Sequence, residues 1–193
     1  MKNICVFCGS SSGNQSIFEE KAFELGQFLA QKNIGLVYGG AKVGLMGAVA
    51  NGALQNNGKV YGVLPIFLQE KELAHPELTE LFLTENMHER KTKMHDLSDG
   101  IIALPGGFGT LEELFEMLTW GQLGLHKKPI ALYNIDGFYD KLIEFVEVTI
   151  QQGFLKPVYR DMLLVSDSAE ELIHLMNNYQ APQVGKWIAK NQT

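Results

Sequence analysis

One short segment places two adjacent carboxylates directly after a glycine-rich turn. It reads Pro105-Gly106-Gly107-Phe108-Gly109-Thr110-Leu111-Glu112-Glu113. Glycine lets backbone N–H groups approach an anion at the start of a helix, so the turn predicts a phosphate site. A carboxylate beside such a site stabilises positive charge or activates a water molecule. The segment therefore predicts chemistry next to a bound phosphate.

Two further glycine-rich turns follow predicted strands. They are Gly9-Ser10-Ser11-Ser12-Gly13 and Gly39-Gly40-Ala41-Lys42-Val43-Gly44-Leu45-Met46-Gly47. A single turn of this kind is often only structural, but ligands of open α/β sheets bind at the carboxyl ends of strands. Three turns at one edge of a sheet predict a common phosphate site. Its predicted contacts from the turns include Gly9, Ser10, Gly40 and Gly106.

The standard nucleotide-binding motifs are absent. The chain contains no Gly-Lys-Ser or Gly-Lys-Thr, which excludes a P-loop hydrolase. The nearest match to the dinucleotide motif GxGxxG begins at Gly107, and Glu112 stands where the third glycine belongs. Because a carboxylate there repels a pyrophosphate, the turn favours chemistry beside the phosphate over dinucleotide binding.

Glu113 also has a structural interpretation. Thr110 and Glu113 fit the capping box S/T-x-x-E, in which both side chains bind backbone amides at a helix start. Helical periodicity divides the predicted helix that follows the glycine-rich turn into two faces. The predicted buried face is Leu111, Leu114, Phe115 and Leu118, and the opposite face is Glu112, Glu113, Glu116 and Thr119. These acids form either a solvated face or the acidic wall of a cleft, and both remain open.

A basic cluster precedes the strand that leads to this turn. Met87, Met94 and Leu97 form an apolar stripe at helical spacing, and Arg90 or Lys91 lies between them on the inward face. A lone arginine often extends past apolar surface to water, but its planar guanidinium also suits a phosphate or a developing negative charge. We expect this cation and the paired carboxylates to share a cleft.

Apolar segments of strand type alternate with segments of helical period along the whole chain. The predicted strands are 4–8, 36–38, 60–64, 81–84, 101–104, 130–133 and 163–165, and the predicted helices include 17–31 and 138–150. This alternation predicts an α/β fold with a Rossmann-like doubly wound parallel sheet and helices on both faces. We expect a single domain over residues 1–181, followed by a C-terminal tail at 182–193.

Length, charge and hydropathy exclude several classes of protein. The chain has 193 residues, with 22 acidic and 16 basic side chains and a net charge of -6. The length fits one domain, and the acidic balance argues against a nucleic-acid partner. Apolar runs fall far short of the ~20 residues that cross a bilayer. The N-terminus lacks the apolar core of a secretory signal, so we expect a soluble cytoplasmic protein with no membrane partner.

Cysteine and histidine positions indicate neither a redox centre nor a metal site. Cys5 and Cys8 have the CxxC spacing, but residues three apart in a strand point to opposite faces of the sheet. The five histidines show no zinc-ligand spacing and no cysteine lies near them: His75, His88, His95, His126 and His174.

Taken together, these motifs resemble the Lonely guy (LOG) family. The resemblance rests on Phe7-Cys8-Gly9-Ser10-Ser11, Tyr38-Gly39-Gly40, Gly44-Leu45-Met46-Gly47, Met87-His88-Glu89-Arg90-Lys91, Leu104 to Glu113, Thr119-Trp120 and Gln122-Leu123-Gly124. It extends to about Val165. The family includes the cytokinin-activating phosphoribohydrolases, and many of its members carry the older label of lysine decarboxylase.

The resemblance implies hydrolysis of the N-glycosidic bond of cytokinin or adenosine 5′-monophosphates, which gives the free base and ribose 5-phosphate without a cofactor. It implies that Arg90 and Glu113 are the catalytic pair. The implied substrate contacts are Glu72, Lys91, Thr119 and the loop Gly107, Phe108, Gly109, Thr110, Leu111 and Glu112. The resemblance also implies a homodimer with the active site at the subunit interface.

Two other functions need a physical test. A pyridoxal-phosphate decarboxylase needs a Schiff-base lysine and a partner for the pyridinium nitrogen, and nothing in the sequence marks such a lysine. A non-catalytic nucleotide or cofactor carrier of the molybdenum-cofactor-carrier type shares a Rossmann-like fold, so it remains the alternative. A carrier binds an anion but has no use for Arg90 combined with Glu112 and Glu113. This combination favours the hydrolase.

Overall fold

Seven parallel strands form one sheet in the computed structural model, which describes residues 1–69 and 74–183. In chain order, the strands are β1 (Asn3–Phe7), β2 (Gly35–Tyr38), β3 (Val60–Pro65), β4 (Glu80–Thr84), β5 (Gly100–Ala103), β6 (Ile130–Tyr133) and β7 (Leu163–Ser166). Across the sheet they follow the order β4-β3-β2-β1-β5-β6-β7. All seven predicted strands are confirmed, with small shifts at their ends.

Helices cover both faces of this sheet. They are α1 (Ser16–Gln31), α2 (Gly44–Leu54), α3 (Ile66–Gln69), α4 (Met87–Leu97), α5 (Phe108–Gln122), α6 (Asp140–Gln151) and α7 (Ala169–Asn178). Buried side chains of α1, α2 and α7 belong to one core cluster, and those of α4, α5 and α6 belong to the other. The predicted doubly wound α/β fold is confirmed.

The strand alternation separates the two cysteines. Cys5 lies in the core beneath α4 and α5, whereas Cys8 lies in the core beneath α1 and α2. Both thiols are free and buried, and burial raises the pKa of each. The prediction that they point to opposite faces is confirmed, so their spacing does not form a redox pair.

Strand order reverses direction between β1 and β5. From β1 the chain continues through α1 to β2 on one side, and from β5 it continues through α5 to β6 on the other. Hydrogen bonds connect the chain segments that follow these two strands. Gly9 N–H donates to the Pro105 carbonyl at 3.0 Å, and Leu104 N–H donates to the Phe7 carbonyl at 2.9 Å. Open α/β sheets bind ligands at such a reversal point, so the fold brings two of the glycine-rich turns to the expected place.

Within the described ranges, every helix is too short or too polar to cross a bilayer. The predicted tail at 182–193 is described only as far as Gln183.

Candidate active site

A cavity of about 370 Å³ opens where the strand order reverses. Its walls come from the end of β1, the turn after β2, the helix α4 and the start of α5. Predicted site residues in its lining are Gly9, Ser10, Arg90, Gly107, Phe108, Gly109, Thr110, Glu112 and Glu113. The structure therefore brings the basic cluster, the paired carboxylates and two glycine-rich turns to one place.

Five of the predicted site residues lie outside this lining, namely Gly40, Lys91, Gly106, Leu111 and Thr119. Thr119 is exposed on α5, and its hydroxyl donates to the Phe115 carbonyl at 2.7 Å. Glu72 falls between the two described ranges, so its predicted contact lies outside the described residues.

Two of the predicted glycines lie next to the cavity without lining it. Gly40 has φ +84°, a left-handed conformation that turns the chain, so Gly39 and not Gly40 faces the cavity. A side chain on Gly106 is excluded by close packing, because a Cβ there would lie 2.1 Å from Thr110 Oγ1 and 2.9 Å from the Gly9 nitrogen. These glycines shape the turns and do not reach the cavity.

The start of α5 differs from the predicted capping box. The helix begins at Phe108, and its N-cap is Gly107 in an extended conformation. Thr110 consequently lies inside the first turn, and Glu113 lies too far along the helix to return a bond to the N-cap. The capping-box prediction is wrong because the Gly106-Gly107 pair lets the chain enter the helix three residues earlier.

The first turn of α5 offers backbone donors to the cavity. Helix geometry leaves the first N–H groups without an intrahelical acceptor, and Gly107 has no side chain to cap them. Residues 107–110 all line the cavity. Partial positive charge at a helix N-terminus attracts an anion, so this wall suits a phosphate.

The buried face of α5 is also rotated from the prediction. Thr110, Leu114 and Met117 are buried, whereas Phe115 is 41% exposed. With this rotation, Glu113 is half-buried at the edge of the packed face and lines the cavity. Glu113 therefore belongs to the wall of a cleft and not to a solvated helix face.

Among the described residues that line the cavity, Arg90 is the cation. Asn86 caps α4 by accepting a hydrogen bond from Glu89 N–H at 3.0 Å, and Arg90 follows in the first turns of this helix. The Arg90 side chain is only 6% exposed, which confirms the predicted inward cation. Its Nη2 donates to the Gly39 carbonyl at 3.2 Å.

Any side chain at Gly39 would displace the ends of two side chains that line the cavity. A Cβ at this position would lie 2.3 Å from Arg90 Nη2 and 2.8 Å from Met46 Sδ. The Gly39-Gly40 pair after β2 indicates a turn near the site. The sequence alone does not show that Gly39 faces the arginine and that Gly40 turns the chain.

The rest of the cavity wall is largely apolar, and sequence reasoning did not assign it to the site. It includes Val6, Phe7, Met46, Leu68, Met87 and Met94. Met87 lies against the guanidinium, with its sulfur 3.9 Å from Arg90 Nη1. Thioethers are polarizable and adapt to flat rings, so this wall suits an aromatic base.

Cys8 lines the same cavity, and the charges of Glu113 and Arg90 both affect its thiol. Burial raises the pKa of the Cys8 thiol, the Glu113 carboxylate raises it further, and the Arg90 guanidinium lowers it. The carboxylate and the guanidinium therefore act on one point of the cavity wall. Away from bulk water, such charges interact more strongly with each other and with a bound ligand.

Comparison with known proteins gives the family. Residues 46–176 match the family model described as "Possible lysine decarboxylase". Over 190 residues the chain is 44% identical to a probable cytokinin riboside 5′-monophosphate phosphoribohydrolase of Oryza sativa subsp. japonica, covering 98% of this chain and 77% of that protein. The chain belongs to the LOG family. A cytokinin riboside 5′-monophosphate phosphoribohydrolase of Arabidopsis thaliana is 43% identical over 178 residues, which cover 92% of this LOG protein and 84% of the relative.

Solved structures share the fold of this LOG protein. The molybdenum cofactor binding protein from Rippkaea orientalis superposes with a TM-score of 0.68 and 24% identity, covering 92% of this chain and 96% of that chain. At this identity the likeness shows a common fold and carries no argument about function.

Lys91 follows Arg90 in the chain but points to a different place. Its Nζ lies 2.6 Å from Glu112 Oε1 and 3.0 Å from Glu116 Oε2, and its side chain is 6% exposed. Burial lowers the pKa of Lys91, but the two carboxylates outweigh it and raise the pKa above its ordinary value. The LOG protein therefore places one member of the Arg-Lys pair in the cavity and ties the other to α5.

The described residues of the cavity do not fit pyridoxal phosphate, the cofactor that the description of the matched family suggests. That cofactor needs a lysine amine in the cavity. Among the residues that the structure describes, no lysine lines it. Lys91 is bound by two carboxylates, and Lys93 Nζ lies 4.4 Å from the centre of the Phe82 ring, outside the lining.

Proposed function

We propose that this LOG protein hydrolyses the N-glycosidic bond of cytokinin or adenosine 5′-monophosphates to the free base and ribose 5-phosphate. One observation carries the proposal: the Arg90 guanidinium and the Glu113 carboxylate line a single cavity that also contains the start of α5. The two plant relatives are named, one of them as probable, as phosphoribohydrolases of cytokinin riboside 5′-monophosphates.

The 5′-phosphate binds at the start of α5. Backbone N–H groups of residues 107–110 supply donors and the helix end supplies partial positive charge. Gly9 and Ser10 close the same end of the cavity from the turn after β1. The volume of about 370 Å³ falls in the range of about 300–1,000 Å³ that is common for small-molecule sites.

The base lies against the apolar wall next to Arg90. Met87 contacts the guanidinium, and Met46 lies beside Gly39 in the same wall. An adenine ring packs on such a surface, and a prenyl group on its exocyclic nitrogen adds apolar contact area.

Glu113 and Arg90 divide the chemistry between them. The bond between C1′ and the base nitrogen breaks and its electron pair leaves with the base, while a water oxygen forms a new bond to C1′. The water loses one proton and the departing base gains one, so the products are ribose 5-phosphate and the neutral base. Glu113 stabilises the positive charge that develops on the ribose, and it orients and deprotonates the attacking water. Arg90 stabilises negative charge on the departing base.

Chromatography of reaction mixtures tests the proposal. The purified protein is incubated separately with adenosine 5′-monophosphate and with isopentenyladenosine 5′-monophosphate, and free base and ribose 5-phosphate are measured. We expect base release from at least one nucleotide, and much slower release from adenosine, which lacks the phosphate. Recovery of both nucleotides intact, although bound, would contradict the hydrolase and favour a carrier.

We also propose a homodimer that forms through an apolar surface on α5, α6 and the segment after α6. Its exposed members are Phe115 (41%), Phe145 (61%), Val148 (45%), Phe154 (88%) and Val158 (45%). Phe145 and Val148 share one face of α6, since residues three apart on a helix are neighbours. An apolar surface of this kind is typical of protein interfaces. Thr119, which is exposed outside its own cavity, is expected to contact the partner subunit.

Light scattering after size-exclusion chromatography tests the dimer. We expect a mass twice the 21.5 kDa of the chain, and a shift to the mass of the single chain for Phe145→Asp, because the interface would have to bury a charge. Glu144→Gln, which changes the exposed neighbour on the same helix, is the control and should leave the mass unchanged. A monomeric wild type, or an unchanged mass for Phe145→Asp, would contradict this surface.

A further inference from the structure

Tyr139 carries a buried hydroxyl that the proposed chemistry does not use. The residue is 1% exposed, and its hydroxyl donates to the Leu104 carbonyl at 2.5 Å. Leu104 follows β5 and precedes the turn Pro105 to Gly107 that leads into α5. We propose that Tyr139 is a positioning residue, whose hydroxyl fixes the base of this turn so that the start of α5 meets the 5′-phosphate. This inference rests on the proposed function and adds a residue outside the predicted site.

Two cavities meet at this turn. One is the cavity that contains Arg90 and Glu113, and the other, of about 310 Å³, is lined in part by Pro105, Gly106 and Gly107. Gly107 lines both cavities. A Cβ on Gly107 would meet no atom of the described residues within 4 Å apart from its chain neighbours. Because close packing does not hold the turn at Gly107, its position depends on the hydrogen bonds at its base.

Hydrogen bonds hold two consecutive carbonyl groups at that base. The Leu104 carbonyl accepts the Tyr139 hydroxyl, and the Pro105 carbonyl accepts the Gly9 N–H at 3.0 Å. Proline has no backbone N–H, so the peptide between Leu104 and Pro105 can be held through its carbonyl oxygen but not through its nitrogen. The Tyr139 hydroxyl supplies that bond. Together the two bonds fix the direction in which the chain enters Gly106.

The segment between β6 and α6 holds Tyr139 in place. Asn134 follows β6, and its Oδ1 accepts the Tyr139 N–H at 2.7 Å while its Nδ2 donates to Asp140 Oδ1 at 2.7 Å. Asp136 has φ 51° and Gly137 has φ 68°, left-handed conformations that tighten the turn between Asn134 and Tyr139. Tyr139 is then the N-cap of α6. The strand next to β5 therefore supports the turn before α5 through one tyrosine.

The surroundings of Tyr139 keep its hydroxyl protonated. Burial raises the pKa of Tyr139 above its ordinary value, and Cys8 raises this pKa further. A phenol that keeps its proton can donate a hydrogen bond, whereas the Leu104 carbonyl can only accept one. The bond between them therefore persists across the neutral pH range.

Tyr139→Phe removes this hydroxyl and keeps the ring. The buried Leu104 carbonyl then loses its donor, and the turn is no longer fixed at its base. We expect KM for the hydrolysed nucleotide to rise by about fivefold or more. We expect kcat to stay within about twofold of the wild type, because Arg90 and Glu113 are unchanged. Base release measures both constants. No rise in KM, or a fall in kcat that exceeds the rise in KM, would overturn the proposal.

Tyr38→Phe is the matched control. Tyr38 is also a buried tyrosine at the end of a strand, but its hydroxyl has no hydrogen-bond partner among the described residues. Removing this hydroxyl should leave KM and kcat within about twofold of the wild type. If Tyr38→Phe raises KM as much as Tyr139→Phe does, the loss is a general effect of altering the core and the proposal is wrong.

Binding of the two reaction products separates this inference from the hydrolase proposal. Calorimetry measures ribose 5-phosphate, which carries the phosphate, and adenine, which does not, and it needs no turnover. Tyr139→Phe should weaken the binding of ribose 5-phosphate by about fivefold or more and leave that of adenine within about twofold. Equal weakening of both products would overturn the proposal. If the wild type binds ribose 5-phosphate but hydrolyses no nucleotide, the proposed function fails while this comparison still decides the role of Tyr139. A wild type that does not bind ribose 5-phosphate would overturn both.

Asn134→Ala covers the case in which Tyr139→Phe does not fold. It removes the acceptor of the Tyr139 N–H and keeps the tyrosine hydroxyl. Because Tyr139 is then held less firmly, we expect the binding of ribose 5-phosphate to weaken by about threefold or more while that of adenine stays unchanged. Unchanged binding of ribose 5-phosphate, or the same loss for adenine, would contradict the positioning role.

Discussion

Glu113→Gln abolishes most of the turnover while nucleotide binding and the melting temperature stay close to those of the wild type. We expect kcat to fall by about a hundredfold or more, the usual effect of losing a general acid or base. Glutamine keeps the shape of the side chain and its hydrogen-bonding capacity but loses the negative charge. Since α5 begins at Phe108 with Gly107 as its N-cap, the helix start does not depend on Glu113.

The comparison of three glutamates gives this prediction its control. Base release is measured by chromatography, and adenosine 5′-monophosphate binding by calorimetry. Glu144→Gln, on the exposed side of α6, should leave both unchanged. Glu112→Gln should lower kcat much less than Glu113→Gln, because Glu112 is paired with Lys91. Full activity of Glu113→Gln, or a larger loss for Glu112→Gln, would end the catalytic assignment of Glu113.

Local sequence patterns predicted the sheet well. Strands such as β6 and β7 consist of short apolar runs bounded by turns, and these features do not depend on distant residues. The alternation of strands with helices then leaves few topologies, because parallel crossovers are right-handed. The strand order itself comes from the structure, which places the reversal between β1 and β5 and brings the turns at Gly9 and Gly106 together.

Local sequence patterns do not predict where α5 begins or which of its faces is buried. Thr110 and Glu113 satisfy the spacing of a capping box, and this local motif competes with an earlier helix start at Gly107. The structure selects the earlier start, with Thr110 packed against Gly106. Which face of α5 is buried depends instead on how the helix packs against the sheet, where Leu114 and Met117 enter the core. Phe115 is exposed and Met117 is buried as a result of this packing, which the periodicity of the segment does not specify.

Local patterns on α4 also do not separate the roles of two adjacent residues. Arg90 and Lys91 are both cations, and the sequence placed one of them on the inward face without deciding which. The structure buries both: Arg90 enters the cavity and Lys91 meets the carboxylates of α5. Their different partners come from α5 and from Gly39, which are distant in the chain. Tertiary contacts of this kind cannot be derived from the periodicity of α4 alone.

Arg90→Ala is the second substitution with a large expected effect. It should lower kcat/KM by about a hundredfold or more, since removing one preorganised charge from a transition state typically costs about 3 kcal/mol. Arg90→Lys keeps the charge but loses the planar guanidinium, and we expect it to recover only part of the rate. Arg160→Ala, which breaks the ion pair with Glu147 outside the cavity, is the control and should retain turnover.

The melting temperature separates a catalytic Arg90 from a structural one. Its side chain is buried, yet its Nε has no hydrogen-bond partner among the described residues, and Nη2 has the single acceptor Gly39. A buried cation with so few partners contributes little to folding, because desolvation offsets what its contacts provide. We therefore expect Arg90→Ala to shift the melting temperature by less than about 4 °C, equivalent to about 1 kcal/mol for a chain of this size. A much larger fall would identify a structural cation.

The pairing of Arg90 with Glu113 predicts how the two losses combine. If the guanidinium and the carboxylate stabilise opposite ends of the same breaking bond, each is of little use without the other. The double variant Arg90→Ala/Glu113→Gln should then be only about as slow as the slower single variant, since effects of residues that act as a unit are not additive. Two losses that multiply would instead mean that the residues act at separate steps. The kcat values of the four proteins, measured on one nucleotide, decide between these cases.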